Sequence, residues 1–203
     1  MTKRGGNVTR CGVIVGSLSQ HSTNRQLADK LRKLAPSEWS LEPIDIAGLP
    51  LYNRDLDDEF PDPARRFKDH VEASDVLLFI TPEHNRSLPA ALKNALDWGP
   101  RPWGANSWSG SVGAVIGSGL SGARTAVAQA HLRSVLGSLG VTVIGAPETC
   151  IPWQDGVLAT PLTEQYLQAF LDAVHAHVAG PRLHPQRVKS DPLPRPCVRS
   201  GNG

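Results

Sequence analysis

The sequence has few of the residues that build disulfide scaffolds, metal sites or nucleic-acid interfaces. Its three cysteines, Cys11, Cys150 and Cys197, form no C-x-x-C pair and have no spacing typical of metal ligands. The formal net charge is only +2, whereas nucleic-acid-binding domains present strongly basic surfaces. A chain of 203 residues is long enough to bury a core without disulfides or a structural metal. We therefore predict one main domain with no metal site and no nucleic-acid partner.

Long apolar runs are also absent. No stretch approaches the roughly 18 apolar residues that a transmembrane helix needs, so we expect no membrane partner. The first ten residues, MTKRGGNVTR, contain no apolar stretch of the kind that a signal peptide requires. These two absences predict a soluble, cytoplasmic protein.

The positive charge that the chain does have is concentrated near its end. Residues 180–203 contain five basic residues, one acidic residue and five prolines, with little apolar periodicity. Such a composition buries too little apolar surface to offset the entropy cost of folding. We predict that residues 1–179 form the folded domain and that residues 180–203 are a Pro-rich, basic, disordered tail. A basic docking segment is the alternative interpretation of this tail.

Short apolar runs alternate with helical patterns along the rest of the chain. Residues 11–15, 76–80, 112–116 and 141–144 are apolar almost throughout, as strands of a parallel sheet covered on both faces are. The full alternation predicts strands over residues 9–15, 40–46, 75–80, 111–117 and 141–145, and helices over residues 23–35, 63–73, 89–98, 123–139 and 163–178.

The strand predicted over residues 40–46 contains Pro43. Proline has no N–H to donate to a strand ladder, which favours a place at the edge of the sheet. In the flavodoxin-like order 2-1-3-4-5 the second strand is an edge strand. The predicted fold class is therefore α/β, a flavodoxin-like, doubly wound, five-stranded parallel sheet. Ligands of such sheets bind beyond the carboxyl ends of the strands.

The stretch GSGLSGA, residues 117–123, matches the pattern G-x-G-x-x-G through Gly117, Gly119 and Gly122. A dinucleotide-binding fingerprint of this kind belongs to the first strand and is followed by an acidic residue about 20 positions later. Here it follows the fourth strand, and the first acidic residue after it is Glu148. The pattern does not predict an NAD-binding domain, although its backbone N–H groups are able to line a ligand pocket.

A stronger phosphate candidate is the loop GSLSQHSTN, residues 16–24, which joins the first strand to the first helix. Short side chains that donate hydrogen bonds converge there with the free N–H groups of a helix N-terminus, which suits a phosphate dianion. The alternative is ordinary helix capping, since Ser, Thr and Asn are also the preferred N-cap residues. The candidate residues are Ser17, Ser19, Ser22, Thr23 and Asn24.

The loop TPEHNRSLP, residues 81–89, follows the third strand and lies on the other side of the topological switch point. Backbone amides around residues 83–85 would face the heteroatoms of a planar ring there. The alternative is a turn that only begins the helix at Pro89.

Four motifs in this order resemble the NAD(P)H-dependent FMN reductase family, which includes flavin, quinone, chromate and azo-compound reductases. They are GSLSQHSTNRQLADKL, LPLYNRDLDDEFP, TPEHNRSLPAALKNALDW and GSGLSGARTAVAQAHLRSVLGSLG. The resemblance spans about residues 9–178 and implies non-covalent FMN. It implies a phosphate site at Ser17, Ser22 and Asn24, an isoalloxazine site along Pro82, Glu83, His84 and Asn85, and closure of the site by the glycine turn with Ser118 and Gly119.

The sequence departs from the family pattern at two positions. Ser19 stands where the family often has an arginine in G-S-x-R, which removes a positive charge from the phosphate loop, and Arg25 is the nearest arginine in sequence. His84 stands where the family has the tyrosine of P-E-Y-N. Imidazole is smaller than phenol and is able to carry a proton near neutral pH, so we expect an effect on flavin potential or acceptor fit.

The resemblance implies an oxidoreductase that passes hydride from NAD(P)H through bound FMN to a quinone, free flavin or another small acceptor. No catalytic side chain is required, because the cofactor carries the hydride chemistry. The family forms homodimers or homotetramers, and the aromatic residues Trp98, Trp103 and Trp108 predict a partner surface. Two other functions remain open at this point: an electron carrier of the flavodoxin type, and a flavin-supplying component of a two-component monooxygenase.

Overall fold

A computed structural model of the chain describes residues 8–119, 125–145, 147, 149–152 and 161–180. Within these residues, strands and α-helices alternate along the chain, with a single 3₁₀ turn at Arg54–Leu56. The strands are β1 (Thr9–Val15), β2 (Trp39–Pro43), β3 (Val76–Ile80), β4 (Val112–Gly119), β5 (Thr142–Val143) and β6 (Thr149–Pro152). The helices are α1 (Thr23–Leu34), α2 (Asp62–Glu72), α3 (Ala90–Trp98), α4 (Ala126–Ser138) and α5 (Pro161–Ala179).

All strand pairs are parallel, and the sheet order is β2-β1-β3-β4-β5. This order confirms the predicted flavodoxin-like fold. β2 lies at the edge of the sheet, and Pro43 is its last residue, opposite Val13 of β1. The edge position follows from chemistry, because a proline in a central strand would leave the partner carbonyl on one side without a donor.

The predicted fifth strand is wrong in its extent. β5 lies beside the beginning of β4, with Val112 opposite Thr142. A separate strand, β6, lies beside the end of β4, with Ile116 opposite Thr149. Pro147, which has no N–H for a ladder, lies between the two segments. The run that forms β6 has four residues, too few for the sequence pattern to predict a strand. Its pairing with β4 makes it one.

Helices cover both faces of the sheet, which explains why the strands are apolar throughout. Side chains of one face, including Val13 and Leu78, pack against α1 and α5. Those of the other face, including Ile14 and Phe79, pack against α2, α3 and α4. Successive residues of a strand point to opposite faces, so both faces need apolar side chains. No helix in the described part of the chain has the length and apolar character to cross a membrane.

The prediction that three tryptophans form an exposed partner surface is wrong for two of them. Trp98 and Trp108 are fully buried in the core, and only Trp103 is exposed, at 62%. The ring of Trp98 makes edge contacts with Tyr52 and Phe60, at centroid distances of 5.1 and 5.2 Å. The spacing of aromatic residues along the chain does not show which of their side chains pack inward against other elements.

Candidate active site

The loops after β1 and β3 meet the end of β4 at the carboxyl edge of the sheet, because these three strands are neighbours. Backbone hydrogen bonds continue across them beyond the strands. The N–H of Gly16 donates to the carbonyl of Ile80 over 2.8 Å, and the N–H of Thr81 donates to the carbonyl of Ile116 over 2.9 Å. The predicted phosphate loop, the predicted ring loop and the end of β4 therefore lie side by side.

The hydroxyl groups of the first loop organise its backbone. Ser17 Oγ accepts from the N–H of Ser19 at 3.4 Å, and Ser19 Oγ accepts from the N–H of His21 at 3.3 Å. Ser22 is the N-cap of α1, and its Oγ accepts from the N–H of Arg25 at 3.3 Å. The predicted capping role of Ser22 is thus present in the structure.

The capping bond involves only part of the N–H groups at the N-terminus of α1, among the described residues. The first four N–H groups of an α-helix have no partner within the helix. At the start of α1, the Oγ of Ser22 accepts from one of these groups, that of Arg25, and the carbonyl of Ser22 accepts the first bond of the helix itself, from the N–H of Gln26. The N–H groups of Thr23 and Asn24 remain at the positive end of the helix dipole, an arrangement that suits an anion.

Asn24 joins the first loop to the end of β4. Its side chain is 2% exposed. Nδ2 donates to the carbonyl of Ser118 at 3.1 Å, and Oδ1 accepts from the N–H of Ser118 at 3.0 Å. These two residues are 94 positions apart in sequence. In the structure the side chain of Asn24 joins the start of α1 to the end of β4. Phosphate binding by Asn24 stays a prediction.

The end of β4 has a buried polar atom that suits a ligand. Ser118 is 1% exposed, and its Oγ has no hydrogen-bond partner among the described residues. Buried hydroxyl groups are normally paired. Beside it, a Cβ on Gly117 would lie 2.2 Å from the carbonyl oxygen of Thr81. The glycine is required here because the backbone at the end of β4 approaches the backbone of the second loop too closely for any side chain. Gly119 is the last residue of β4.

The second loop forms a tight hairpin. The N–H of His84 donates to the carbonyl of Ser87 at 2.9 Å, and the N–H of Ser87 donates to the carbonyl of His84 at 3.0 Å. Asn85 and Arg86 occupy the two turn positions with φ of 48° and 64°, as in a type I′ turn. Pro82 is half-buried, and His84 and Asn85 are exposed. The loop is therefore more than the start of α3.

Glu83 has a role that the sequence did not indicate. Its Oε2 accepts from the N–H groups of Val127 and Ala128, both at 3.1 Å. The N-cap of α4, Thr125, makes no side-chain capping bond, so a carboxylate from another loop caps this helix. No local signal could have shown it, because the donors lie 44 and 45 residues away.

Replacing Glu83 with alanine is expected to lower the free energy of unfolding by about 1–2 kcal/mol, the usual worth of a helix cap. For a domain of this size that corresponds to a melting temperature lower by roughly 2–8 °C. Hydrogen exchange should accelerate at the amides of Val127 and Ala128. The control is Glu42→Ala, which removes an exposed ion pair with Arg10. Equal stability of the two variants would show that the cap contributes nothing.

Arg25, the arginine nearest in sequence to Ser19, lines a cleft of about 400 Å³ between α1 and the edge strand β2. Ser17 of the phosphate loop lines the same cleft, together with Arg32 and Asp45.

Comparisons with known proteins agree with this geometry. The NADPH-dependent FMN reductase family matches residues 9–154. The chain is 44% identical over 180 residues to a 2-hydroxy-1,4-benzoquinone reductase of a Burkholderia species, an alignment that covers 86% of this chain and 98% of the relative. It is 40% identical over 166 residues to a quinone reductase of Pseudomonas putida, covering 79% and 89%.

A solved structure shows the same likeness in three dimensions. FerB of Paracoccus denitrificans, a flavoenzyme NAD(P)H:(acceptor) oxidoreductase, superposes with a TM-score of 0.80 at 39% identity. The superposition covers 85% of this chain and 98% of FerB. The chain belongs to the NADPH-dependent FMN reductase family. It is an oxidoreductase that uses FMN as cofactor and NAD(P)H as co-substrate.

The residues at this edge of the sheet fit FMN. Among the described residues, nothing pairs with the N–H groups of Thr23 and Asn24 at the N-terminus of α1, which suits a phosphate, or with the buried hydroxyl of Ser118. The hairpin after β3 offers backbone groups beside them. Glu83, the carboxylate in this loop, is occupied by the amides of α4.

Proposed function

We propose that this FMN reductase transfers electrons from NAD(P)H to quinones. The observation that carries the proposal is the meeting of two loops and the end of β4 at one edge of the sheet, where the side chain of Asn24 pairs with the backbone of Ser118. Relatives that share about two fifths of the sequence are named as quinone reductases. When bound, FMN supplies the hydride chemistry.

In this proposal the residues of the chain bind and orient, and none acts as a catalytic acid or base. The N-terminus of α1 would hold the phosphate, through Ser17, Ser19, Ser22, Thr23 and Asn24. The second loop and the end of β4 would hold the isoalloxazine ring, through Pro82, Glu83, His84, Asn85, Ser118 and Gly119.

Anaerobic stopped-flow spectroscopy tests the proposal directly. Both NADH and NADPH are mixed with the FMN-loaded protein, and the bleaching of the flavin is followed. The reduced protein is then mixed with 1,4-benzoquinone or with free FMN. We expect rapid bleaching followed by rapid reoxidation by the quinone. A flavodoxin-type carrier would not be bleached by either nicotinamide. A flavin-supplying component would lose its reduced FMN during gel filtration.

We also propose that the protein is a homodimer or homotetramer. Leu51 and Trp103 are 84% and 62% exposed, which is unusual for large apolar side chains. The guanidinium of Arg101 lies 5.1 Å from the ring centroid of Tyr52, and this contact joins the two segments that carry them. The replacement Trp103→Ser is expected to shift sedimentation toward the monomer. An unchanged sedimentation coefficient would rule out this tryptophan as an interface residue.

Two further proposals concern location and chain organisation. We place the protein in the cytoplasm, because NAD(P)H is an intracellular reductant.

Residues 181–203, nearly all of the predicted tail, lie outside the described residues. Truncation after Ala179 is expected to leave the melting temperature and NAD(P)H oxidation nearly unchanged, because this segment lacks apolar periodicity. A large loss of either would mean that the basic segment docks on the domain or on another subunit.

A further inference from the structure

The tip of the hairpin after β3 holds an arginine in a conformation that side chains rarely adopt. Among the described residues, the only non-glycine residues with positive φ are Asn85 and Arg86, at 48° and 64°. Asparagine tolerates the left-handed region, and glycine is the favoured residue at the second position of a type I′ turn. Arg86 stands where glycine would be less strained. Strain of this kind is retained where the side chain has a use.

Hydrogen bonds hold the rest of the hairpin in place, so its backbone does not relax to relieve this strain. Two backbone hydrogen bonds close it between His84 and Ser87. Glu83 ties its first arm to the N-terminus of α4. The Oγ of Ser87 lies 3.1 Å from Nδ1 of His131, which ties the second arm to the same helix. The turn is therefore held firmly beside the flavin site.

The guanidinium of Arg86 is available to a ligand. The residue is exposed, and it forms no ion pair or side-chain hydrogen bond with any residue that the structure describes. The carboxylate nearest in sequence, Glu83, already accepts two hydrogen bonds from α4. The arginine thus projects from a hydrogen-bonded turn at the edge of the site, and no described residue neutralises its charge.

We infer that Arg86 selects substrates that carry an anionic oxygen group, by placing its guanidinium against that group. Guanidinium binds carboxylate, phosphate and similar oxyanions through parallel hydrogen bonds. Two substrates of the proposed function, on which this inference rests, carry such a group. One is the dinucleotide, through its phosphates. The other is a hydroxyquinone, whose hydroxyl is a vinylogous acid and is ionised at neutral pH.

The test compares an anionic with a neutral substrate in each half-reaction. For reduction of the flavin, NADPH is compared with the uncharged donor 1-benzyl-1,4-dihydronicotinamide. For reoxidation, 2-hydroxy-1,4-benzoquinone is compared with 1,4-benzoquinone. The quantity measured is the second-order rate constant for the anionic substrate divided by that for the neutral substrate. In the variant Arg86→Gln this ratio is expected to fall at least tenfold in one half-reaction, and that half-reaction identifies the source of the anion.

Three further variants separate charge from turn geometry. Arg86→Lys retains the charge and should retain most of the ratio. Arg86→Gly removes both the charge and the strain, so it should melt at a higher temperature than the wild type while losing the ratio as Arg86→Gln does. Arg66→Gln is the control for net charge, since Arg66 is an exposed residue of α2, and its ratios should match the wild type.

The outcomes are distinct from those that test the function itself. If the wild type is bleached by neither nicotinamide donor, or reoxidised by neither quinone, the proposed function fails. If the wild type reacts but both ratios change less than fivefold in Arg86→Gln, the inference about Arg86 is overturned. A more stable Arg86→Gly variant with unchanged ratios would overturn it as well, because the strain would then have no use in substrate selection.

Discussion

Replacing Ser22 and Asn24 together with alanine is expected to weaken FMN binding by about a hundredfold or more. Ser22 caps the helix whose N-terminus faces the predicted phosphate. Asn24 pairs with both backbone groups of Ser118, and its removal leaves a buried N–H and a buried carbonyl unpaired. Each charge-assisted hydrogen bond that the phosphate loses costs about 1.5–3 kcal/mol, and about 1.4 kcal/mol is tenfold in affinity.

Titration of the apoprotein with FMN, followed by quenching of flavin fluorescence, measures this effect. The melting temperature of the apoprotein must be recorded as well, because loss of the link between the loops also lowers stability. Ser40→Ala is the matched control, since the Ser40 hydroxyl donates to Glu42 on the edge strand and to no other residue that the structure describes. A double variant that folds and binds FMN within threefold of the wild type would place the phosphate elsewhere.

Replacing Gly117 with alanine is expected to have the largest effect on stability. The new Cβ would lie 2.2 Å from the carbonyl oxygen of Thr81 and 2.6 Å from Oγ1 of Thr125. The carbonyl belongs to the backbone, so the ends of β3 and β4 must separate. Overpacking of this kind costs about 3 kcal/mol, which lowers the melting temperature by roughly 6–12 °C. FMN binding should also weaken strongly, because the two loops beside the ring move apart.

A second glycine provides the control for this substitution. Gly137 lies in α4, and a Cβ there would have nothing within 4 Å. Gly137→Ala should therefore stabilise the protein by up to about 1 kcal/mol, since alanine loses less backbone entropy in a helix. Thermal unfolding of the two variants without FMN gives the comparison. Equal melting temperatures for Gly117→Ala and the wild type would mean that the loops have room to relax.

Local chemistry accounts for what could be predicted about the fold. Pro43 indicated an edge strand because one missing N–H has the same consequence in any parallel sheet. The polar loop at residues 16–24 indicated an anion site because a helix start leaves its N–H groups free wherever it occurs. Continuous apolar strands indicated a sheet with helices on both faces. Each of these three predictions depends only on residues that are close together in the sequence.

Long-range contacts account for what the pattern missed. Trp98 and Trp108 lie in the core because other elements cover them. The residues next to each tryptophan in sequence do not show which elements those are. β5 and β6 are separate strands because both pair with β4, and such short segments have little signal of their own.

Sequence alone was enough to predict the class of sheet, the edge position of β2, the polar loop that leads into α1 and the resemblance to FMN reductases. Tertiary structure decided how the site is held together. Asn24 reaches Ser118 across 94 residues, and Glu83 caps a helix that begins 43 residues later. The reason is physical: a side chain's own preference is local, whereas the partner that satisfies a buried amide or carboxylate is set by which loops the strand order brings together.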